Sequence, residues 1–309
     1  MTSHPDAVGD MDHDTCVRFV KTFNEDDPPK WVLLSGGEPF LRTALIQDIA
    51  IESAVAKTKT YVNTGLFFAN AKKPSSEIVR AIDGIDHLSI SMDPFHEEFV
   101  PRQNVWVFID WFAKRYGDSK GLSIQLCDSP LQPNYSPEIT TQVENLFPSF
   151  VEVSSMVLQS VGRAQSNVRM QGMPVEEHGC LSIGWPQVSF DGSILPCCTS
   201  SHLTSSLPSH LKMGGISSLT WPTLLSQIRE RTSLRFIRSC GPGYLRDRFD
   251  SRRSNVKETM CNVCVGLPND LDKKIDADTV FREIILPVFS EESDTKTNQE
   301  RIDALIKIL

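Results

Sequence analysis

Five short apolar runs, separated by segments of helical spacing, constrain this chain more than any other feature. The runs are Trp31-Val32-Leu33-Leu34, Thr60-Tyr61-Val62-Asn63, His87-Leu88-Ser89-Ile90-Ser91, Leu122-Ser123-Ile124-Gln125-Leu126 and Val151-Glu152-Val153, each of strand length. Between them, 41–57, 75–83, 103–116 and 136–147 carry apolar residues three and four apart, as at Leu41, Ala44, Leu45 and Ile49. That period belongs to a helix burying one face. Strand and helix in alternation predict an α/β fold with a parallel sheet, its strands covered on both faces by crossover helices. Such sheets bind ligands at the carboxyl ends of their strands. The polar residues placed there are Gly36 to Pro39, Asn63-Thr64-Gly65, Ser91 with Asp93, and Cys127-Asp128.

A further helix precedes the first run, where Asp14 is positioned to cap a segment with Val17, Phe19, Val20 and Phe23 apolar. A β-α series calls for a strand before that helix, and none is found. Strand 31–34 is therefore expected at a sheet edge with both faces apolar and its backbone groups unpaired, a pairing hazard. Either the natural chain begins upstream of Met1, or a partner or another part of the molecule covers that edge.

The second constraint is the distribution of cysteines. Cys180 is followed by Trp185-Pro186-Gln187-Val188-Ser189-Phe190, then Asp191-Gly192, then Ser193-Ile194-Leu195-Pro196-Cys197. Asp-Gly between β-rich runs signals a hairpin, because both turn positions tolerate positive φ. The hairpin folds Cys197 back toward Cys180. Far downstream, Cys261-Asn262-Val263-Cys264 is a pair whose spacing lets two thiolates converge on one site. Four thiolates suffice for one iron–sulfur cluster or one zinc ion; a zinc ribbon more commonly has two close pairs, and this chain has one. Cys198 adjoins a candidate ligand, Cys240 sits in a turn, and Cys16 and Cys127 read as buried small hydrophobes.

Composition excludes several classes of function. A net charge of −8 argues against a protein that neutralises phosphates along nucleic acid, and no run of about eighteen apolar residues is present to span a bilayer. The start, Met1-Thr2-Ser3-His4-Pro5-Asp6, has neither the basic segment nor the apolar core of a secretory signal, so a cytoplasmic location is expected. Eight cysteines in a reducing compartment point to metal ligation or redox chemistry rather than to disulfides. One basic run stands out: Arg229, Arg231, Arg235, Arg238, Arg246, Arg248, Arg252 and Arg253. It reads as the solvated face of a helix or as a docking surface for an acidic or phosphate-bearing partner.

Gly36-Gly37 at a strand end lets a ligand approach the backbone closely and offers carbonyls to an ammonium group; alone, it is equally a tight strand-to-helix turn. In context the chain resembles the radical S-adenosylmethionine superfamily, with strands ending in Leu-Ser-Gly-Gly-Glu-Pro, Asn-Thr-Gly and Ser-Ile-Ser-Met-Asp. The resemblance implies that Gly36, Gly37, Glu38 and Pro39 hold the methionyl amino group of S-adenosylmethionine. It further implies that Ser91 and Asp93 contact its carboxylate or ribose, with Arg163, in Gly162-Arg163-Ala164, near the cofactor. Asn63-Thr64-Gly65 departs from the more usual Thr-Asn-Gly order. His96, within Pro94-Phe95-His96-Glu97-Glu98-Phe99, either begins the next helix or serves proton transfer.

Cys180-x11-Gly192-x4-Cys197 with Cys261-x2-Cys264 is similar to the twitch domain, the shorter relative of the SPASM domain in the same superfamily. That likeness implies an auxiliary [4Fe-4S] cluster held by Cys180, Cys197, Cys261 and Cys264, with no open iron. The family's first strand and its Cys-x3-Cys-x2-Cys triplet are missing: only Cys16 lies upstream of Gly36. The expected architecture is thus a partial (β/α) barrel over 1–165 lacking its first strand, a small cysteine-containing hairpin-plus-helix domain over 166–272, and C-terminal helices over 273–309. The expected function is radical chemistry, hydrogen abstraction from a peptide or small-molecule substrate, if the missing triplet is supplied. The alternative is a non-catalytic scaffold or electron-transfer protein serving a protein partner or electron donor.

Overall fold

The computed structural model describes residues 9–24, 26–71, 73–128, 132–157, 179–198, 207–249 and 260–279. The chain divides into two compact units, one built on Cys16–Arg169 with Met1–Ala7 and the other on Met170–Leu309 with Val8–Thr15. Arg163, Arg252, Arg253 and the segment beyond 279, with its expected closing helices, lie outside the described residues.

Helix α1 (His13–Val20) comes first. Its cap is Asp12 rather than Asp14: the Asp12 carboxylate accepts the Thr15 N–H at 2.8 Å, and Asp14 lies inside the first turn. The helix begins two residues earlier than a cap at Asp14 would place it, which moves the capping position with it.

The first unit is α/β. Strands β1 (Trp31–Leu34), β2 (Lys59–Thr64), β3 (His87–Met92), β4 (Gly121–Asp128) and β5 (Glu152–Val157) form a five-stranded sheet in chain order. Every neighbouring pair is parallel. Helices α2 (Thr43–Val55), α3 (Ser76–Gly84), the short α4 (Pro94–Glu97), α5 (Arg102–Tyr116) and α6 (Tyr135–Leu146) connect them. Ser75 caps α3 by accepting the Ile78 N–H, and Asp93 caps α4. Parallel pairing places the strand exits at Leu34, Thr64, Met92 and Asp128 along one edge of the sheet.

The two faces of the sheet differ. On one, Val62, Leu88, Ile90, Leu122, Ile124 and Leu126 pack with Ile46, Ile82, Ile109, Phe112 and Ile139 from the helices in a single apolar cluster. Burying a side chain such as Phe112 contributes about 2–3 kcal/mol. The other face carries the alternate residues Tyr61, Asn63, His87, Ser89, Ser91, Ser123 and Gln125. Cover on both faces is the expectation for a parallel sheet; here the period of two puts polar side chains on every second position instead. Near the strand starts, Tyr61 stacks on His87 at 4.2 Å and the Ser123 hydroxyl lies 3.0 Å from the Tyr61 hydroxyl and 2.8 Å from His87 Nε2. Gly121 makes room for that ring, since a Cβ there would sit 2.2 Å from His87 Nδ1.

Among the described residues strand β1 lies at the sheet edge, bonded on one side to β2. Trp31 and Leu33 on it are 49% and 56% exposed, with the Lys59 ammonium 5.3 Å from the Trp31 ring. An apolar strand with an open ladder is a template for further pairing.

The second unit holds a three-stranded sheet, β6 (Ile183–Val188), β7 (Ser193–Cys197) and β8 (Gly214–Gly215). β6 and β7 form an antiparallel hairpin that sets Ile183 opposite Cys197. Its turn carries Gly192 at φ 81°, and the Asp191 carboxylate accepts the Ser193 N–H and hydroxyl at 3.0 and 2.6 Å. Helices α7 (Trp221–Glu230), α8 (Thr232–Cys240), α9 (Pro242–Phe249), α10 (Met260–Val265) and α11 (Leu271–Ala277) follow. Over its described residues, which end at Phe249, the arginine-rich segment is therefore three helices rather than one. Arg231 is extended between the first two, and Gly241 at φ 83° with Pro242 ends the second. Arg248 pairs with Asp278 at 2.6 Å. Among the described residues no helix is long and apolar enough to cross a membrane.

Candidate functional site

Two clusters carry chemistry, one in each unit. The first is built on the exits of β1, β2 and β3. After β1 the chain turns through Gly36 at φ 140°, a conformation that favours glycine, and among the described residues nothing lies within 4 Å of where a Cβ would project from Gly36 or Gly37. Glu38 then caps the 3₁₀ turn Pro39–Arg42, with Oε1 accepting the Phe40 N–H at 3.1 Å. The same carboxylate accepts the Thr64 hydroxyl at 2.9 and 3.0 Å and the Gly65 N–H at 2.9 Å. Thr64 in turn accepts the Leu66 N–H at 2.9 Å, which holds Leu66 in the left-handed region at φ 61°. Glu38 is thus a brace locking the exit of β1 to that of β2. Burial pushes its carboxyl up from the ordinary value, against the pull of these hydrogen bonds and of His96.

At the exit of β3, the Ser91 hydroxyl donates to Asn63 Oδ1 at 3.0 Å, tying β3 to β2. Asp93 Oδ1 accepts the N–H groups of Phe95 and His96 at 2.8 and 2.9 Å, and its Oδ2 lies 2.7 Å from His96 Nδ1. Burial acts to raise the Asp93 carboxyl, but the His96 contacts and the two amides outweigh it and hold the group below its usual range. An ionised Asp93 accepts from Nδ1 and so leaves His96 Nε2 directed over Gly65, where an added Cβ would come within 3.6 Å of it. On the neighbouring strand β4, Cys127 is pushed up to about 11 by burial together with Asp93 and Asp128. It is a protonated thiol at neutral pH.

A cavity of about 400 Å³ adjoins the exit of β3, lined by Pro94, Glu97, Arg102, Tyr135 and Glu138 among others. Glu97 accepts from Arg102 at 2.8 Å and from the Tyr135 hydroxyl at 2.7 Å, while Arg102 also pairs with Glu138. The Arg102 guanidinium lies 5.5 Å from the Tyr135 ring. The spacing of these residues along the sequence gives no sign of this grouping; it arises where α4 ends and where α5 and α6 begin.

In the second unit, Cys180, Cys197, Cys198, Cys261 and Cys264 line one cavity, walled otherwise by apolar residues such as Ile183, Ile237 and Met260. The hairpin brings Cys197 opposite Ile183, whose N–H bonds the Cys180 carbonyl at 3.3 Å. The Cys180 N–H is bound to the Ile237 carbonyl at 2.9 Å, and α10 delivers Cys261 and Cys264 one turn apart. Gly179 is required at the entry, since a Cβ there would fall 2.1 Å from the Arg238 carbonyl oxygen. Burial, with the neighbouring thiols Cys180, Cys261 and Cys198, pushes Cys197 up to about 12. Cys264 is pushed well above its ordinary value by burial first and then by Cys197, Cys180 and Cys261.

The donor chemistry fits a thiophilic cation: sulfurs in an apolar wall, two of which, Cys197 and Cys264, are unfavourable as anions until a positive charge arrives. Spacing is a separate matter. Among the described residues no group of three or more His, Cys, Asp or Glu side chains is drawn close enough to hold an ion. The cavity is about 20 Å³, room for one small ion or water and less than an iron–sulfur cube fills. None of the eight cysteines is in a disulfide. Cys240, at the end of α8, is pushed up to about 12 by burial.

One residue of this site has no sequence signal. His210, in the 3₁₀ turn Ser209–Leu211, is fully buried with Nε2 3.5 Å from the Cys264 sulfur. Burial, only partly opposed by Asp272, brings its imidazole down to about 4, so it is neutral at physiological pH. Compared with known proteins, the chain matches no family model and no curated sequence.

Proposed function

We propose that this is a radical S-adenosylmethionine-type protein: a partial (β/α) barrel, lacking its first strand, joined to a twitch-like domain with one auxiliary iron–sulfur cluster. The observation that carries the reading is the gathering of Cys180, Cys197, Cys261 and Cys264, far apart in sequence, around one cavity. In this reading the polar face of the sheet is the barrel lumen, and the backbone carbonyls of Gly36 and Gly37 take the methionyl ammonium. Glu38 shapes that loop instead of binding, since its oxygens are occupied by Phe40, Thr64 and Gly65. Ser91 and Asp93 face the carboxylate or ribose, and Asp93 fixes the tautomer of His96. Arg163 is retained as a candidate near the cofactor. The 400 Å³ cavity beside Arg102 and Tyr135 has the size of a ligand pocket and is the proposed place of a peptide or small-molecule substrate.

When bound, the cluster supplies electron transfer or structural support, because four thiolates leave no open iron. Hydrogen abstraction from substrate belongs to this reading only with a three-thiolate cluster upstream of Gly36, where this chain offers Cys16 alone. A second reading is favoured by the cavity volume: a single tetrahedral zinc ion in a non-catalytic scaffold or electron-transfer partner protein.

Anaerobic reconstitution with iron and sulfide, followed by iron, sulfide and zinc counts and by equilibrium dialysis against S-adenosylmethionine, separates these readings. Four irons and four sulfides per chain with retained S-adenosylmethionine is the expected result. One zinc per chain and no S-adenosylmethionine binding replaces it with the scaffold reading.

A further inference from the structure

We infer that His96 is a binding residue at the strand exits, its Nε2 accepting a hydrogen bond from a ligand hydroxyl of the kind a ribose carries, and that Asp93 positions it. The inference rests on the reading of these exits as a nucleoside site, and it needs no cluster. The exit of β3 presents the imidazole more than the carboxylate: the His96 side chain is 43% exposed and that of Asp93 16%. The Asp93 oxygens are already engaged. Oδ1 accepts the Phe95 and His96 N–H groups at 2.8 and 2.9 Å, and Oδ2 lies 2.7 Å from His96 Nδ1. Burial opposes the ionised form of Asp93, but these contacts outweigh it. An ionised carboxylate only accepts, so in the neutral ring the proton sits on Nδ1 and Nε2 is a bare lone pair. Gly65 keeps the edge of the ring clear, since a Cβ there would lie 3.2 Å from His96 Cδ2 and 3.6 Å from Nε2.

The surroundings of the ring select the ligand group. Glu38 stands near it as well: its carboxyl, raised by burial, is drawn back in part by its hydrogen bonds and by His96, and its Oε2 would lie 3.6 Å from the same Gly65 Cβ. With the carboxyls of Asp93 and Glu38 both close, an anionic group is repelled from Nε2. A cation is drawn to those carboxyls but finds their oxygens taken, in Glu38 by Phe40, Thr64 and Gly65 and in Asp93 by two amides and the ring. A hydroxyl donates to Nε2 without displacing any of these bonds. Beside them, Gly36 and Gly37 leave room where a side chain would otherwise project, with no described atom within 4 Å of either Cβ position.

The test uses the full chain with no iron added. Long-range ¹H–¹⁵N NMR on the ¹⁵N-histidine protein is expected to show neutral His96 protonated at Nδ1 and bare at Nε2, and Asp93→Asn, whose amide can donate to Nδ1, to lose that preference. A proton on Nε2 in the unmodified chain overturns the inference, whether or not any variant folds. Calorimetry then compares S-adenosylmethionine, adenosine and 2′,3′-dideoxyadenosine, which lacks both ribose hydroxyls. The dideoxy compound is expected to bind the unmodified chain about tenfold more weakly than adenosine, and His96→Phe to close most of that gap, as the loss of one shared hydrogen bond requires. No gap in the unmodified chain, or an undiminished gap in His96→Phe, overturns the inference and leaves the S-adenosylmethionine reading standing where that compound binds. Adenosine bound with the expected gap, and S-adenosylmethionine not bound, overturns that reading alone. Binding of none of the three overturns both.

Discussion

The half-buried strand-exit cluster of the first unit and the thiol cavity of the second, which buries Cys197 and Cys264, are held by opposite means. In the first, every key side chain answers another: Glu38 is bound by Thr64, Gly65 and Phe40, Ser91 by Asn63, and Asp93 by His96 and two amides. Its order is complete without a ligand, and what it leaves for one is backbone at Gly36 and Gly37. In the second, the sulfurs are placed by packing, with burial and one another making the anionic form of Cys197 and Cys264 unfavourable. That arrangement is relieved by a cation. A preorganised oxygen-and-nitrogen site and a charge-hungry sulfur site thus fold in one chain, and they should fail in different ways.

The largest difference is expected on removing a sulfur. Cys264→Ser should abolish stoichiometric metal binding, a loss greater than the roughly 10–100-fold that follows deletion of an outer partner. Cys127→Ser, in the first unit, should leave the metal count unchanged. Chelation should likewise lower the melting temperature of the metal-loaded second unit without moving the first, since metal affinity adds to the stability of the unit that binds it. Metal analysis with calorimetry on both variants decides this. Equal loss of metal in Cys127→Ser would erase the contrast.

Next in size is the brace. Glu38→Ala leaves the Thr64 hydroxyl and the Phe40 and Gly65 N–H groups without their acceptor, and should cost about 2–4 kcal/mol in the first unit. Glu38→Gln should cost less but not nothing, because its amide has one acceptor where the carboxylate has two. Denaturant unfolding followed by tryptophan fluorescence measures both, and a cost below about 0.5 kcal/mol for the alanine variant would remove Glu38 as the keystone of that site.

These properties were unequally legible in the sequence. The β-α alternation is written in runs such as Leu122 to Leu126, and the hairpin in Asp191-Gly192, because both depend on neighbours in the chain. The polar face of the sheet is visible in retrospect in the alternation Ser89, Ser91 and Ser123, Gln125. Glu38 locking onto Thr64, Arg102 meeting Glu138, and His210 reaching Cys264 are long-range contacts in folded space, for which no local pattern exists. The break at Arg231 had no glycine or proline to announce it. Its cause is tertiary, the three carbonyls that its guanidinium binds.

The smallest effect sharpens the comparison within the first cluster itself, where two carboxyls are pushed apart. Asp93 is held below its ordinary 3.8, so its contribution to stability is present above that pH and is lost as pH falls through its folded value. Glu38 is raised above its ordinary 4.5, so its contribution is complete below that pH and is lost as pH rises through its folded value. Unfolding midpoints measured between about pH 3 and pH 7 should therefore lose the acid-side decline in Asp93→Asn and lose the opposing slope above pH 4.5 in Glu38→Gln. Environments that separate two carboxyls in this way equip one to stay charged and orient an imidazole while the other holds a loop. Identical pH profiles in the two variants would show that the strand exits do not divide these roles, and His96 would then have no fixed orienting partner.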